Sequence, residues 1–524
     1  MTIDSTISKA ATALDRPPIL DDQSLFGHPR GLGLLFIVEM WERFSFYGMR
    51  ALLVLYLVNA LQWPDGDAAR LYGSYTGLVY LTPVIGGWLA DRFLGTSRSM
   101  IIGGLLITLG HFALAFGPDV ATIRPGGASM VPFYVGLGLV IIGTGFFKPN
   151  VSTMVGQIYR PGDDRRDAGF TIFYMGINLG AFIAPLICGY LGQRVGWHYG
   201  FGAAGVGMLL GLLVYMRYRD RYLPGIGVIP NRSETVMVRD ATPTAGIVEQ
   251  GVEGRGNLFR GAGGAVVGLA VALLAGSGVM GMLYGVLIGA SLAVTILGTH
   301  GEERRRVIAL FIVFFFVIFF WMAFEQAGSS MNLFADRYTD LSVGTFEIPS
   351  TWFQSVNSFF ILLFAPVFAI MWRNLARSQR EPPTAMKMVL GLFLLGLGFV
   401  FLVIGARGVD ACLAAGEASC NIASPIWLIL AFLFHTLGEL ALSPVGLSYV
   451  TKVAPWRFVS LLMGLWFLST SAANYLGGHL AAMTETIASQ SRFFMIPVAT
   501  SIGAAVVMLV LVPLLRRLTS SVKA

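Results

Sequence analysis

Charge and cysteine are scarce in this sequence. Only 12% of its 524 residues are charged, against 55% hydrophobic, and the mean hydropathy is +0.70. No water-soluble core of that size needs so much apolar material, which excludes an ordinary soluble protein and makes lipid the natural solvent. Three cysteines exclude a disulfide framework. Cys188 lies within an apolar run, whereas Cys412 and Cys420 share a polar loop in which they either pair or remain two thiols. The first 25 residues carry Asp4, Asp15, Asp21, Asp22 and a Pro17-Pro18 pair but no apolar stretch and no small-residue cleavage site. They read as a cytosolic, disordered N-terminus rather than a secretory signal. Also missing are HExxH, a P-loop, any Cys/His metal pattern and any nucleophile–base–orienter spacing, which disfavours an ATP-driven pump, an enzyme, a metal site or a bound cofactor.

What is present is a series of about 14 apolar runs, each long enough to cross a ~30 Å hydrocarbon core as a helix. The spacing predicts spans at 31–62, 68–92, 98–117, 131–158, 165–194 and 196–218, then 258–277 and 280–299, then 306–335, 346–376, 384–406, 423–453, 456–486 and 490–517. The fold class is therefore all-α and polytopic, in a six, two, six arrangement. This gives a disordered terminus at 1–26, a first six-helix bundle at 27–220 and a polar cytosolic linker at 221–257. An inserted pair follows at 258–300, then a second six-helix bundle at 301–518 and a short tail at 519–524. The net charge of +7 does not indicate a nucleic-acid partner, because basic residues such as Arg92, Arg165, Arg219, Arg305, Arg377, Lys452 and Arg517 sit in short alternate connections. By the positive-inside rule both termini are cytoplasmic. Two six-span halves joined by a cytosolic segment match transporters with parallel repeats, which place substrate near the membrane midplane between the halves.

Buried charges mark where such a site would be. The first span holds Glu39, Glu42, Arg43 and Arg50, each costing about 2.5–3.5 kcal/mol at a lipid-facing helix centre. With Phe46 and Tyr47 they fall within an arc of about 140° on one helix face, as in a helix lining a cavity; a static ion-pair staple is the alternative. In the fourth span Lys148 precedes Pro149 and Asn150, placing an ammonium beside a predicted kink, or else a lysine snorkelling from a helix end. Glu325, Ser329, Asn332 and Asp336 recur at helical spacing, and Glu325 is a candidate proton or cation partner. His435, Glu439 and Ser443 follow at i, i+4 and i+8, with Pro444 predicted to break the ladder just beyond; His435 reads as a packing residue. Asn178, Asn357 and Trp466 are weaker signals, since single polar groups often join membrane helices.

These motifs together resemble the proton-dependent oligopeptide transporter family of the major facilitator superfamily, over residues 27 to 517. The matching pieces are EMWERF (39–44), GGWLADRFLGTSR (86–98), GTGFFKPN (143–150), FYMGINLGAF (173–182) and GELALSPVG (438–446). The resemblance implies the major facilitator fold with an inserted hairpin at 258–299. It implies that Glu39, Glu42 and Arg43 serve proton coupling and substrate recognition, and that Arg50 pairs with Glu325. Lys148 and Arg43 would face a peptide carboxylate and Glu439 its amino group. Asn178 and Asn357 would hold the peptide backbone or termini, and Tyr47, Tyr80, Trp321 and Trp466 would line side-chain pockets. Asp91, Arg92 and Arg98 would hold the halves together on the cytoplasmic side.

The function expected is a proton-driven importer of di- and tripeptides in a bacterial inner membrane. It would act as a monomer and draw on the proton gradient in place of any cofactor. Cations facing one end of a zwitterion and an acid facing the other give the required polarity. The rival substrate is nitrate or another small anion, which Glu439 would repel. The rival class is a membrane enzyme or receptor that uses these charges statically.

Overall fold

The computed structural model describes residues 20, 22–118, 130–160, 162–228, 246–274, 278–417 and 419–520, omitting the side chains of 246–255, 443–448 and 460. Most of the N-terminal stretch expected to be disordered, 1–19 and 21, lies outside the described residues, as do 229–245 of the expected linker and 521–524 of the tail. Every predicted span contains a helix. The first six are α1 (Arg30–Leu55), α2 (Asp65–Leu89), α3 (Thr96–Ala115), α4 (Val131–Gln157), α5 (Arg165–Ala184) and α6 (Trp197–Tyr222). The inserted pair is α7 (Gly246–Leu274) and α8 (Val279–Leu297). The remainder are α9 (Gly301–Phe324), α10 (Ser330–Tyr338), α11 (Phe353–Arg377), α12 (Thr384–Ala414), α13 (Pro425–Val453), α14 (Val459–Ala482) and α15 (Gln490–Leu518). Lipid offers the backbone no hydrogen-bond partner, so apolar runs of this length close their own i to i−4 ladders. Among the described residues, 11 helices are long and apolar enough to cross a membrane. The chain is an all-α polytopic membrane protein.

Several expectations need correction. The polar stripe of the seventh span does not lie on one continuous helix. α9 stops at Phe324, Glu325–Gly328 form a 3-10 turn, and Ser329 leaves helical geometry at φ −127°, ψ −97° before α10 begins. Pro149, expected beside a kink, and Pro444, expected to interrupt the ladder, both lie inside helices, α4 and α13, that continue to Gln157 and Val453. The eighth span starts later than predicted: Ser342–Val343 and Phe346–Glu347 pair as two short antiparallel strands ahead of α11. α7 begins at Gly246, so helix extends into the segment expected to be linker. Cys412 and Cys420 form a disulfide, with Cα atoms 5.8 Å apart, which settles the alternative left open by their shared loop.

The chain divides into two compact units, one of residues 1–52 and 82–233, the other of 53–81 and 234–524. In the first, Leu32, Leu35, Val38, Met100, Phe147, Val151 and Met154 form a continuous apolar core. In the second, Val313, Val317, Phe320, Leu392, Leu395, Phe399, Phe493 and Phe494 do so.

Candidate functional site

In the first unit the charged face of α1 is buried. Glu39 and Glu42 are 2% and 1% exposed, and Arg43 and Arg50 are buried with them. Arg43 Nε donates to Glu39 Oε1 at 2.8 Å and lies 2.6 Å from Glu42 Oε2. Two carboxylates thus share one guanidinium edge, while Glu39 Oε2 and Glu42 Oε1 have no hydrogen-bond partner among the described residues. Burial disfavours a surplus negative charge, so the cluster calls for a further cation or a proton. Lys148 on α4 is half-buried and within electrostatic reach of Glu42. Arg43 also stands 5.6 Å from the Phe46 ring centre, and Arg50 the same distance from that of Tyr47.

The α5 motif FYMGINLGAF brings its helix onto this cluster through Gly180. A Cβ there would collide with Met40 O and stand 3.0 Å from Arg43 Cβ, so only glycine lets α5 approach α1 beside the guanidinium. Asn178 is buried, and its Nδ2 donates to Tyr174 O on its own helix at 2.9 Å. The motifs GGWLADRFLGTSR and GTGFFKPN also meet, because a Cβ at Gly86 would collide with Gly145 O. Asp91, Arg92 and Arg98 are exposed, and Arg92 covers the rings of Trp88 and Phe93 at 5.7 and 5.6 Å.

In the second unit the structure brings together two residues that the sequence left unrelated. Asn357 Nδ2 on α11 donates to Glu439 Oε2 at 3.1 Å and to Thr436 Oγ1 at 2.9 Å on α13. Glu439 is 9% exposed. Trp466 on α14 is buried and meets Phe314 edge-on at 6.3 Å, while Trp321 packs against Phe320 and Phe324 at 5.2 Å each. Tyr80 on α2 is half-buried. His435 sits among Phe399, Phe324 and Phe432, 4.5 Å from the first, as a packing residue would. Glu325 is buried at the turn that separates α9 from α10. Asp336, expected on the Glu325 stripe, accepts instead from Asn59 Nδ2 at 2.9 Å and Ser350 Oγ at 2.8 Å. The Ser443 side chain lies outside the described residues.

Sequence reasoning missed three features. Arg337 clasps Asp65 with both terminal nitrogens, Nη2 to Oδ1 at 2.8 Å. Its only signal was a charged pair, Asp336-Arg337, at the end of a span. Lys387 is buried in α12, bonded to Glu381 and 4.3 Å from the Trp372 ring centre; an isolated lysine in an apolar run could have flagged it. The third is the approach of α2 to α14, where a Cβ at Gly73 or Gly478 would strike the opposite backbone. Among the described residues no three His, Cys, Asp or Glu side chains assemble as a metal site.

Comparison with known proteins matches this arrangement to one group. The sequence profile of the POT family (PTR2) matches residues 97–226 and 284–500. The chain is 38% identical to a peptide transporter of Yersinia enterocolitica, covering 95% of this chain and 97% of that one. It is 37% identical to a di-/tripeptide transporter of Lactococcus lactis subsp. cremoris, covering 94% and 96%. Among solved structures it resembles a peptide transporter POT in complex with sulfate, at 38% identity, TM-score 0.75, and 95% and 97% coverage. It also resembles a POT family transporter in complex with 5-aminolevulinic acid, at 30% identity, TM-score 0.74, and 94% and 98% coverage.

Proposed function

Because the chain belongs to the POT family, a family of transporters with the major facilitator fold, we propose that it is a proton-coupled symporter importing di- and tripeptides by alternating access. The observation that carries the substrate class is Glu439, a carboxylate kept in an apolar helix and oriented by Asn357. Such an acid attracts cations, and the α-ammonium of a peptide is one. The same acid repels nitrate or another small anion. The names of relatives at 37–38% identity support this reading.

In this reading Lys148 and Arg43 bind the peptide carboxylate and Glu439 its amino group. Asn357 and Asn178 hold its backbone or termini, with Ser443 beside Glu439. Tyr47, Tyr80, Trp321 and Trp466 receive side chains. Glu39, Glu42, Arg43, Arg50 and Glu325 couple the proton. The partnerless oxygens of Glu39 and Glu42 suit a site that takes up a proton within the membrane. No resident cofactor is needed, because the proton gradient supplies the energy.

The protein lies in the bacterial inner membrane as a monomer, with both termini cytoplasmic. It is organised as two six-helix bundles, 27–220 and 301–518, joined through 221–257 and the hairpin 258–300. Orientation rests on the basic connections and on the Cys412–Cys420 bridge, since a structural disulfide persists on the oxidising side of the membrane.

The test is uptake of a labelled dipeptide into proteoliposomes with and without an inward pH gradient, with nitrate as competitor. Gradient-dependent accumulation indifferent to nitrate is expected. Competition by nitrate would move the substrate class to anions.

A further inference from the structure

The α7–α8 pair has the character of a lipid-facing hairpin: Val266, Val267, Val271 and Leu274 are all exposed. Its two helices meet at glycines, since a Cβ at Gly264 or Gly268 would collide with the α8 backbone at Gly289 or Gly285. That is the small-xxx-small spacing by which membrane helices approach. One side chain does not fit a passive appendage. Tyr284 is 6% exposed and, with Thr295, makes up the buried residues of α8. Its hydroxyl lies 2.8 Å from Ser471 Oγ and 3.1 Å from Ser471 O on α14, and its ring packs on Tyr475 at 5.5 Å. Ser471 Oγ in turn donates to Gly77 O on α2 at 2.6 Å.

The Ser471 hydroxyl proton is committed to Gly77 O, so Tyr284 is the donor to Ser471. The Tyr284 proton is shared between Ser471 Oγ and Ser471 O, and the Ser471 O–H passes on to Gly77 C=O, so the three residues form one series. Hydrogen bonds in series polarise one another, and in a dry interior each lost partner is costly. Gly77 admits the series: a Cβ there would stand 2.8 Å from the Tyr284 hydroxyl and 3.1 Å from Ser471 O. One turn away the Gly73–Gly478 approach brings the same two helices together.

We propose that Tyr284 is a positioning residue through which the inserted hairpin braces the α2–α14 contact and raises the population of the conformer that contains it. The proposal rests on the alternating-access reading above. There α2 belongs to the first six-helix half and α14 to the second, so rocking one half against the other must shear this contact. A group that bonds in one conformer and not the other supplies the differential interaction a population shift requires.

The experiment uses the full-length protein in proteoliposomes with spin labels at Gln62→Cys and Thr486→Cys, both exposed. Inter-label distances are measured in the parent and in Tyr284→Phe, Ser471→Ala and the double variant. Phenylalanine keeps the ring contact with Tyr475 and removes only the hydroxyl. The expected result is a change of about fivefold in the ratio of short to long distances in Tyr284→Phe, the size one hydrogen bond carries. Ser471→Ala, which leaves the Ser471 carbonyl as an acceptor, should shift the ratio in the same direction, and the double variant should fall short of the sum of the two. An unchanged distribution in Tyr284→Phe, or additive effects in the double variant, overturns the brace. Dipeptide accumulation by the parent is scored separately. Its absence would overturn the transport reading, whereas the distances report on the brace alone.

Discussion

Asn357 Nδ2 bonds Glu439 Oε2 and Thr436 Oγ1 together, at 3.1 and 2.9 Å, and so fixes the one buried acid of α13 against α11. An amide is neutral, so this bond orients the carboxylate without changing its charge. Asn357→Ala should therefore weaken dipeptide binding by about tenfold, the scale of one charge-assisted hydrogen bond, with the folded state retained. Glu439→Ala and Lys148→Ala should abolish binding, because each leaves one peptide terminus desolvated without its partner. Calorimetric titration on purified variants decides this. Near-normal affinity in Glu439→Ala would remove its assigned role.

Accumulation should need an inward proton gradient. Glu39 and Glu42 both lie against Arg43 Nε, and among the described residues one Glu39 oxygen and both Glu42 oxygens have no hydrogen-bond partner, an arrangement a proton would stabilise. A protonophore should abolish dipeptide accumulation in proteoliposomes while exchange down the peptide's own gradient continues. Accumulation that survives the protonophore would contradict proton coupling.

Glu325→Gln should separate coupling from exchange. The residue sits at the turn where α9 ends, a place where a change of charge can act on the geometry of a broken helix. Proton-driven accumulation should fall to background while counterflow of peptide is partly retained. If the Gln variant accumulates peptide fully, Glu42 becomes the better coupling candidate.

Gly180→Ala should cost about 1–3 kcal/mol, the range for overpacking a close contact, because the added methyl meets Met40 O and the Arg43 side chain. Thermal unfolding should show a lower midpoint. Gly138→Ala serves as the control, since a Cβ there meets nothing within 4 Å.

Asp163 marks a carboxylate that cannot sense working pH. Hydrogen bonds from Arg165 hold it down at about 2. A depressed carboxyl contributes its stability above the unfolded value near 3.8 and loses it only as pH falls through about 2. Asp163→Asn should leave the pH profile of uptake between pH 5 and 8 unchanged. A displaced profile would place a coupling group in this loop.

The sequence by itself determined the solvent, the helices and the candidate polar residues. Apolar run length is a one-dimensional property, and a charge in such a run is costly wherever the helix packs, so Glu39, Glu42, Arg43 and Glu439 stood out before any contact was known. Five short motifs were enough to indicate the family. Other features depended on residues far apart in the chain, and only the tertiary structure decided them. Asn357 is one polar group in an apolar helix until α13 brings Glu439 to it. Asp65 and Arg337 are separated by 272 positions, and Tyr284 looks like any aromatic of a lipid-facing pair. The break after Phe324 escaped the sequence because helical periodicity persists across a turn that carries no proline. Pro149 and Pro444, which the sequence offered as a kink and a broken ladder, sit within helices that run on beyond them. Periodicity records which side chains can share a face, whereas packing between helices decides which of those faces meet and where a ladder gives way.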